Sequence, residues 1–150
     1  MSYNMEQVLA EMKQHIAPDQ IDRMIFPPPV FVEMQGEFIN YDRDQSRLVT
    51  RFPVQEKHLN PLGYLQGGVL AALLDNTIGP LSFMVAPPNV TTQFNISYLR
   101  PTTRDESPIT VTAQVIDRTR GQLFIQGRAE NQAGKTLAIA HASHQIIKQR

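Results

Sequence analysis

The chain has 150 residues, 14 basic and 14 acidic side chains, no formal net charge and no cysteine. A neutral chain has no bulk attraction to nucleic acid or to an anionic membrane, so neither is expected as a partner. The length suits one domain with its own core, and the lack of cysteine excludes disulfides, cysteine-based zinc sites and a thiol nucleophile.

The first predicted elements are a helix and a connector. Apolar residues recur at spacings of three and four over residues 4–16, which predicts a short amphipathic helix that ends before Pro18. The proline-rich run at 26–29 predicts an extended connector. We therefore expect residues 1–29 to form an N-terminal helix and connector, and residues 30–150 to form the main domain.

Two strands are predicted next. Apolar and polar residues alternate over 32–38 and again over 47–54, which is the period of half-buried strands. Residues 42–45 carry the polar side chains of a turn between them. Residues 55–66 show neither period and contain turn-forming asparagine, proline and glycine, so a loop is predicted there.

A long apolar helix is predicted after this loop. From Gly67 to about Ala86, apolar side chains occupy nearly every side of the helix, which is the pattern of a buried helix. Gly79-Pro80 is expected to kink or break it, or Pro80 begins a second helical segment.

The rest of the chain predicts four antiparallel strands joined by short, hairpin-like connections. They cover residues 91–99, 109–117, 122–131 and 136–147. The predicted order is one helix, two strands, one long buried helix and four strands. An α+β fold, in which an antiparallel sheet wraps around the long helix, covers that helix over most of its circumference.

A candidate site lies at the start of the long helix. Gly67 and Gly68 present unpaired backbone N–H groups at the positive end of the helix dipole, and they let a ligand approach closely, as in an oxyanion-binding site. The amides of Asn60 and Gln66 are candidate donors beside it. Asp75, a carboxylate among apolar residues, is expected to have a raised pKa and to act as general base or nucleophile.

Each of these residues also has a purely structural interpretation. A glycine pair permits close packing or starts a helix. An aspartate within a helix often serves as a cap, a buried hydrogen-bonding group or an interface residue. Asparagine before proline is a common turn residue.

The spacing of Gly67 and Asp75 bears on the assembly. They are eight residues apart, which in an α-helix is roughly 12 Å along the axis and about 80° around it. Both therefore cannot contact one reacting carbonyl from the same helix. A shared site needs the helix start of one subunit to face Asp75 of another, so the catalytic interpretation predicts at least a dimer.

Four basic residues near the ends of turns are candidate binding groups for a phosphate, and solvated surface charge is the alternative for each. They are Arg100, Arg118, Arg120 and Lys135. His141 and His144 are three residues apart on a predicted strand and therefore point to opposite faces, which makes them a poor metal-binding pair. No metal site is predicted.

Taken together, three features resemble a known family. They are the string N-x-x-G-x-x-Q-G-G at 60–68, Asp75 nine positions after Gln66, and N-I-S-Y-L-R-P at 95–101. This pattern is similar to that of the hotdog-fold acyl-CoA thioesterases of the phenylacetate-degradation type, and the resemblance covers about residues 30–147. It implies a hotdog fold, an acyl-CoA substrate, no cofactor, and a homodimer or dimer of dimers with its site between subunits.

The resemblance also implies residue roles. Asp75 would activate the attacking water or attack the thioester itself, while the Gly67 N–H would polarise the thioester oxygen. Asn60 would orient the substrate or the site loop, and the Thr91 hydroxyl would position the water. The family usually has histidine where this chain has Gln66, which cannot titrate, so proton transfer by that histidine is not available here.

Three functions follow from this sequence. The first is hydrolysis of acyl-CoA to a free acid and coenzyme A. The second is a non-catalytic domain that binds acyl-CoA or a fatty-acyl group, which Gln66 favours. The third is a hydratase, which would need a histidine beside Asp75, and the sequence offers none. The acyl pocket is expected to include Leu74, Ile78, Phe83 and Phe94.

The sequence also predicts the compartment. The N-terminus lacks the basic region and continuous apolar core of a signal peptide. Asp75, Asn76 and Gly79-Pro80 interrupt the longest apolar stretch, so no membrane span is predicted. We expect a soluble, cytoplasmic protein.

Overall fold

A computed structural model describes residues 3–148 and contains one six-stranded sheet and four α-helices in that range. The helices are α1 (Met5–Met12), α2 (Pro18–Ile21), α3 (Pro29–Glu33) and α4 (Gly67–Val85). The strands are β1 (Glu37–Asp42), β2 (Arg47–Phe52), β3 (Asn89–Tyr98), β4 (Ile109–Arg118), β5 (Gln122–Glu130) and β6 (Thr136–Ile146). Single 3-10 turns lie at Glu56–His58 and Arg104–Glu106.

The sheet is antiparallel throughout and wraps around α4. Its strand order is β1-β2-β4-β5-β6-β3, so β3 is an edge strand that pairs with β6 on one side. Leu74, Ile78 and Leu81 of α4 are completely buried in the core against it. The predicted α+β class and the sheet wrapped around one long helix, which is the hotdog arrangement, are confirmed.

The prediction of a break at Gly79-Pro80 is wrong, because α4 runs continuously through Pro80. Proline supplies no N–H to the helix, but tertiary packing outweighs that loss. Pro80 is itself buried, and the Ser82 hydroxyl donates to the Gly79 carbonyl over 2.6 Å. The ends of β3 to β6 lie within about two residues of those predicted.

By length and composition alone α4 could cross a membrane, since it has 19 residues and a mean hydropathy of 1.4. The expectation that Asp75 and Gly79-Pro80 exclude this by interruption is therefore wrong. Half of this apolar window is buried inside the fold, and the core helix of a soluble protein passes the same test. The packing of α4 against the sheet explains its apolar sequence.

The N-terminal helix is present but shorter than predicted. Asn4 starts α1 with a capping box, in which its side chain accepts from the Gln7 N–H and the Gln7 side chain accepts from the Asn4 N–H, each over 2.9 Å. The helix ends at Met12, and Pro18 begins α2 because proline fits the first helical position. Met12 is buried in the same core as α4. The division into segments 1–29 and 30–150 stays a prediction.

The first half of the predicted strand 32–38 is wrong. Pro29–Glu33 forms α3, and β1 begins only at Glu37. Pro29 occupies the first helical position, where a backbone N–H would have no partner within the helix, so its absence costs nothing. Phe31 is buried by this turn of helix, and Gln35, with a φ of 55°, reverses the chain before the strand.

Gly36 lies where this chain reversal meets the core. A Cβ atom on it would be 2.7 Å from the rings of both Phe31 and Phe52. We expect Gly36→Ala to destabilise the fold by about 1–3 kcal/mol through overpacking. This exceeds the gain of about 0.4–1 kcal/mol from a stiffer unfolded chain. Urea unfolding measures the difference, and a variant as stable as the wild type would contradict this packing.

Candidate active site

Asp75 lies in the middle of α4 and borders two cavities. The larger, of about 390 Å³, lies between α4, the start of β3, the end of β6 and the N-terminal segment. That segment contributes Met24, Ile25 and Phe26. The smaller, of about 250 Å³, runs along α4 toward its start. Asp75 and Thr91 line both cavities. The structure thus brings the predicted base and the predicted hydroxyl together.

A β-bulge produces this arrangement. The pairing of β3 with β6 shifts register between Thr91, which is opposite His144, and Gln93, which is opposite Ser143. A bulge inserts one extra residue and changes which side chains share a face. Strict alternation predicts that Thr91 and Phe94 point to opposite faces, yet both line the smaller cavity.

The environment of Asp75 raises the pKa of its carboxyl group through desolvation. Its side chain reaches solvent, but apolar walls replace much of the water around it. Among residues 3–148 it has no ion pair or hydrogen bond that would stabilise the charged form. A carboxylate with a raised pKa is a stronger base than an ordinary one, which suits proton abstraction.

The same shift predicts how stability depends on pH. A carboxyl whose pKa is raised by folding binds its proton more tightly in the native state, so stability falls as the pH rises past the ordinary value of about 3.9. Asp75→Asn removes this penalty. We expect the variant to melt at a higher temperature than the wild type at pH 7 and at the same temperature near pH 3, measured by circular dichroism. A lower melting temperature at pH 7 would contradict the shift.

The start of α4 presents free backbone donors. Neither Gly67 nor Gly68 has an acceptor for its N–H among residues 3–148, and Gln66, the N-cap, makes no side-chain capping bond. Tyr98, at the end of β3, donates its hydroxyl to the Gly67 carbonyl over 2.6 Å. The space beside Gly68 is open, and Gly68 lines the smaller cavity with Asp75. This end of the helix can receive a ligand oxygen.

Asn60 organises the loop before α4. Its side-chain oxygen accepts from the N–H groups of Leu62 and Tyr64, over 2.9 and 3.1 Å. Its backbone also pairs with Tyr64 and Gly63. The side chain therefore serves the turn, while its amide hydrogens have no partner among the described residues. The exposed Gln66 side chain is likewise unbonded there, so its role stays a prediction.

The four basic candidates lie at two different ends of the fold. Arg100 donates to the Thr136 carbonyl over 2.6 Å, and Lys135 precedes Thr136, so both lie near the end of β3 that carries Tyr98. Arg118 donates to the Val85 carbonyl at the C-terminal end of α4, over 2.9 Å, and Arg120 lies in the same hairpin. The first pair lies at the Gly67 end of the helix, and the second lies at the opposite end.

Sequence reasoning missed His144. The prediction that His141 and His144 point to opposite faces is confirmed, since His141 is exposed and His144 is buried. The expectation that no histidine lies near the aspartate is wrong, because His144 lines the larger cavity together with Asp75. The signal that could have found it is the pairing of the two predicted strands, which sets His144 opposite Thr91.

Two of the four residues expected in the acyl pocket line a cavity, and the pocket itself stays a prediction. Phe83 lines the larger cavity and Phe94 the smaller. Leu74 and Ile78 instead pack on β5, where a Cβ atom at Gly127 would be 3.0 Å from each. The N-terminal segment provides the wall that sequence reasoning did not include. Within residues 3–148 no group of three or more histidine, aspartate or glutamate residues could hold a metal ion.

Comparison with known proteins identifies the family. The Thioesterase superfamily profile matches residues 62–138, which include α4 and strands β3 to β5. The human protein acyl-coenzyme A thioesterase 13 is 30% identical over 118 residues, which are 76% of this chain and 84% of that protein.

Solved structures agree in fold. A phenylacetic acid degradation-related protein from Ralstonia eutropha JMP134 is 26% identical, with a TM-score of 0.75 over 85% of this chain and 98% of that one. A hypothetical thioesterase from Streptococcus pneumoniae TIGR4, solved with coenzyme A, is 23% identical, with a TM-score of 0.70 over 77% of this chain and 88% of that one. This chain belongs to the Thioesterase superfamily.

Proposed function

We propose that this protein is an acyl-CoA thioesterase that hydrolyses an acyl-CoA thioester to a free acid and coenzyme A. The observation that carries the proposal is the shared position of Asp75 and Thr91 on two adjoining cavities, inside the segment that matches the family. The relatives support the substrate class, since one is named as an acyl-coenzyme A thioesterase and another was solved with coenzyme A.

The reaction follows from the positions of these groups. Asp75 accepts a proton from water, whose oxygen attacks the thioester carbonyl carbon. Negative charge develops on the carbonyl oxygen, which the Gly67 N–H at the positive end of α4 stabilises. The carbon–sulfur bond then breaks, and coenzyme A leaves as a thiolate that takes up the proton held by Asp75, which restores the base. Thr91 positions the water beside Asp75.

The site is composite, with Gly67 and Asp75 from different subunits. Near the start of β3, Thr91 lines the smaller cavity together with Asp75. At the end of the same strand, the Tyr98 hydroxyl donates a hydrogen bond to the Gly67 carbonyl. The outer edge of this ten-residue strand pairs with no other strand within residues 3–148, and a long free edge favours pairing with another chain. Two β3 strands paired antiparallel about a two-fold axis would bring the Gly67 end of one subunit beside Asp75 of the other.

The acyl group and coenzyme A have separate places in this proposal. Apolar side chains of the N-terminal segment and Phe83 line the larger cavity, which suits an aliphatic or aromatic acyl group. Arg100 and Lys135, at the Gly67 end, are the candidates for the phosphates of coenzyme A. Pairing of dimers into tetramers and a cytoplasmic location also stay predictions.

One observation favours a second candidate function. His144 and Asp75 line one cavity, and a hotdog hydratase would need such a pair. Loss of the double-bond absorbance of an enoyl-CoA measures that activity separately from hydrolysis.

The test is release of coenzyme A, followed with a thiol reagent, across short, long and aromatic acyl-CoAs. The protein has no cysteine and contributes no thiol background. We expect catalytic turnover of at least one acyl class. Thermal stabilisation by an acyl-CoA without turnover would instead indicate the non-catalytic binding domain, and hydration without thiol release would indicate the hydratase.

A further inference from the structure

His144 presents a buried acceptor that has no partner in the described part of the chain. Asn89 donates from its side-chain nitrogen to the carbonyls of Ser82 and Pro87, over 3.3 and 2.9 Å. This orients the Asn89 side-chain oxygen toward His144 Nδ1, 2.9 Å away. Because that oxygen can only accept, Nδ1 carries the hydrogen. In the neutral ring Nε2 is then an acceptor, and it is buried with no partner among residues 3–148.

Burial keeps this ring neutral, because desolvation lowers the pKa of His144. An unpaired buried acceptor is unfavourable, so a partner is expected. Solvent does not reach Nε2, which points to a neighbouring side chain as the donor.

Among the other polar residues of the larger cavity, the Thr91 hydroxyl and the second amide hydrogen of Asn76 have no acceptor in the described range, and only Thr91 lies directly opposite His144. The Asn76 side chain donates to the Ala72 carbonyl, the Ser82 hydroxyl donates to Gly79, and both Asn89 bonds are to carbonyls. Asp75 in its charged form has no hydrogen to donate. The Thr91 hydroxyl is therefore the candidate donor.

We propose that His144 is a positioning residue, which accepts the hydrogen of the Thr91 hydroxyl at Nε2 after rotation of the threonine side chain. Directly opposed residues of an antiparallel pair have Cβ atoms about 4.5–5.5 Å apart, which is within reach of such a bond. Asn89, His144 and Thr91 then form one chain of hydrogen bonds, which the attacking water continues to Asp75.

This inference rests on the proposed function and specifies the direction of the hydrogen bonds that the Thr91 hydroxyl makes. A Thr91 hydroxyl that donates to His144 presents its oxygen lone pairs to the cavity. It therefore accepts one hydrogen of the attacking water, and Asp75 takes the other. Without His144 the hydroxyl can rotate and donate to Asp75, which would weaken the base.

The test is a double-mutant cycle on kcat with Thr91→Val and His144→Leu. Each single variant is expected to lower kcat on the order of tenfold with little change in KM. The double variant is expected to lower kcat no further than the worse single variant, because each substitution breaks the same hydrogen bond between Thr91 and His144. His144→Gln, which keeps an acceptor near the Nε2 position, should recover most of the activity. His141→Leu, on the other face of β6, is the matched control and should remain fully active.

Two outcomes would overturn the inference. Losses from Thr91→Val and His144→Leu that multiply in the double variant would show that the two residues act separately. Nitrogen NMR that finds the hydrogen of His144 on Nε2 would remove the acceptor, and this readout does not depend on activity. If the wild type releases no coenzyme A, the proposed function fails, while NMR and a cycle on unfolding free energy still decide whether Thr91 and His144 are bonded.

Discussion

Asp75→Asn is expected to lower kcat for thioester hydrolysis by about 10²–10⁴-fold, the contribution of a positioned general base. Asparagine keeps the size of the side chain but cannot accept the proton of the attacking water. KM should change little, because binding of the acyl group relies on the apolar cavity walls. Stopped-flow or steady-state release of coenzyme A on the best acyl class measures both quantities.

The fold provides a control for this experiment. Asp75 makes no ion pair or hydrogen bond among residues 3–148 that the substitution would break, and removal of a desolvated charge should raise stability at pH 7. Asp44→Asn, in the exposed β1–β2 turn, is the matched change of carboxylate to amide and should keep full activity. An Asp75→Asn variant within tenfold of the wild type would contradict the role of Asp75.

Gly67→Pro is expected to lower kcat by about 10²–10³-fold, the effect of losing one oxyanion donor. Gly67 is the first residue of α4, where proline is tolerated because the N–H there makes no helical bond. Gln66 has φ and ψ of −55° and 133°, the extended backbone that proline requires of the residue before it. The substitution therefore deletes one N–H and keeps the helix. Coenzyme A release and circular dichroism measure the two effects.

Gly67→Ala is the control for the added carbon. A Cβ atom at this position would be 3.3 Å from the Tyr98 ring, so both variants crowd Tyr98, but only proline loses the N–H. We expect alanine to keep most of the activity. Equal losses in the two variants would assign the effect to Tyr98 and would contradict the donor role of the Gly67 N–H.

The sequence predicted the elements whose pattern is local. The long helix α4 and the strands β3 to β6 were confirmed as elements. Burial follows the predicted patterns only in part, because half of the apolar window of α4 is buried and burial does not alternate along β3. The first part of the strand predicted over 32–38 failed because an alternation over seven residues does not distinguish a strand from a short helix after Pro29. Pro80 failed to break α4 because packing on the sheet outweighs the lost hydrogen bond.

The candidate site was predictable only where the residues are close in sequence. Gly67, Gly68 and Asp75 could be predicted because they lie on one helix and their spacing matches the family pattern. The bulge after Thr91 depends on the pairing of β3 with β6, and the wall formed by Met24 and Phe26 depends on where the N-terminal segment packs. His144 was missed for the same reason, since Asn89 and Thr91, which it meets at the site, lie more than fifty residues away.

Complementation between Asp75→Asn and Gly67→Pro subunits tests whether two subunits share one thioesterase site. If the site takes Gly67 from one subunit and Asp75 from its partner, a mixed dimer contains one intact site. Random assortment of equal amounts then restores about a quarter of the wild-type coenzyme A release at equal total protein. Mixed dimers, purified through two different tags, that stay as inactive as either parent would contradict a thioesterase site shared between subunits.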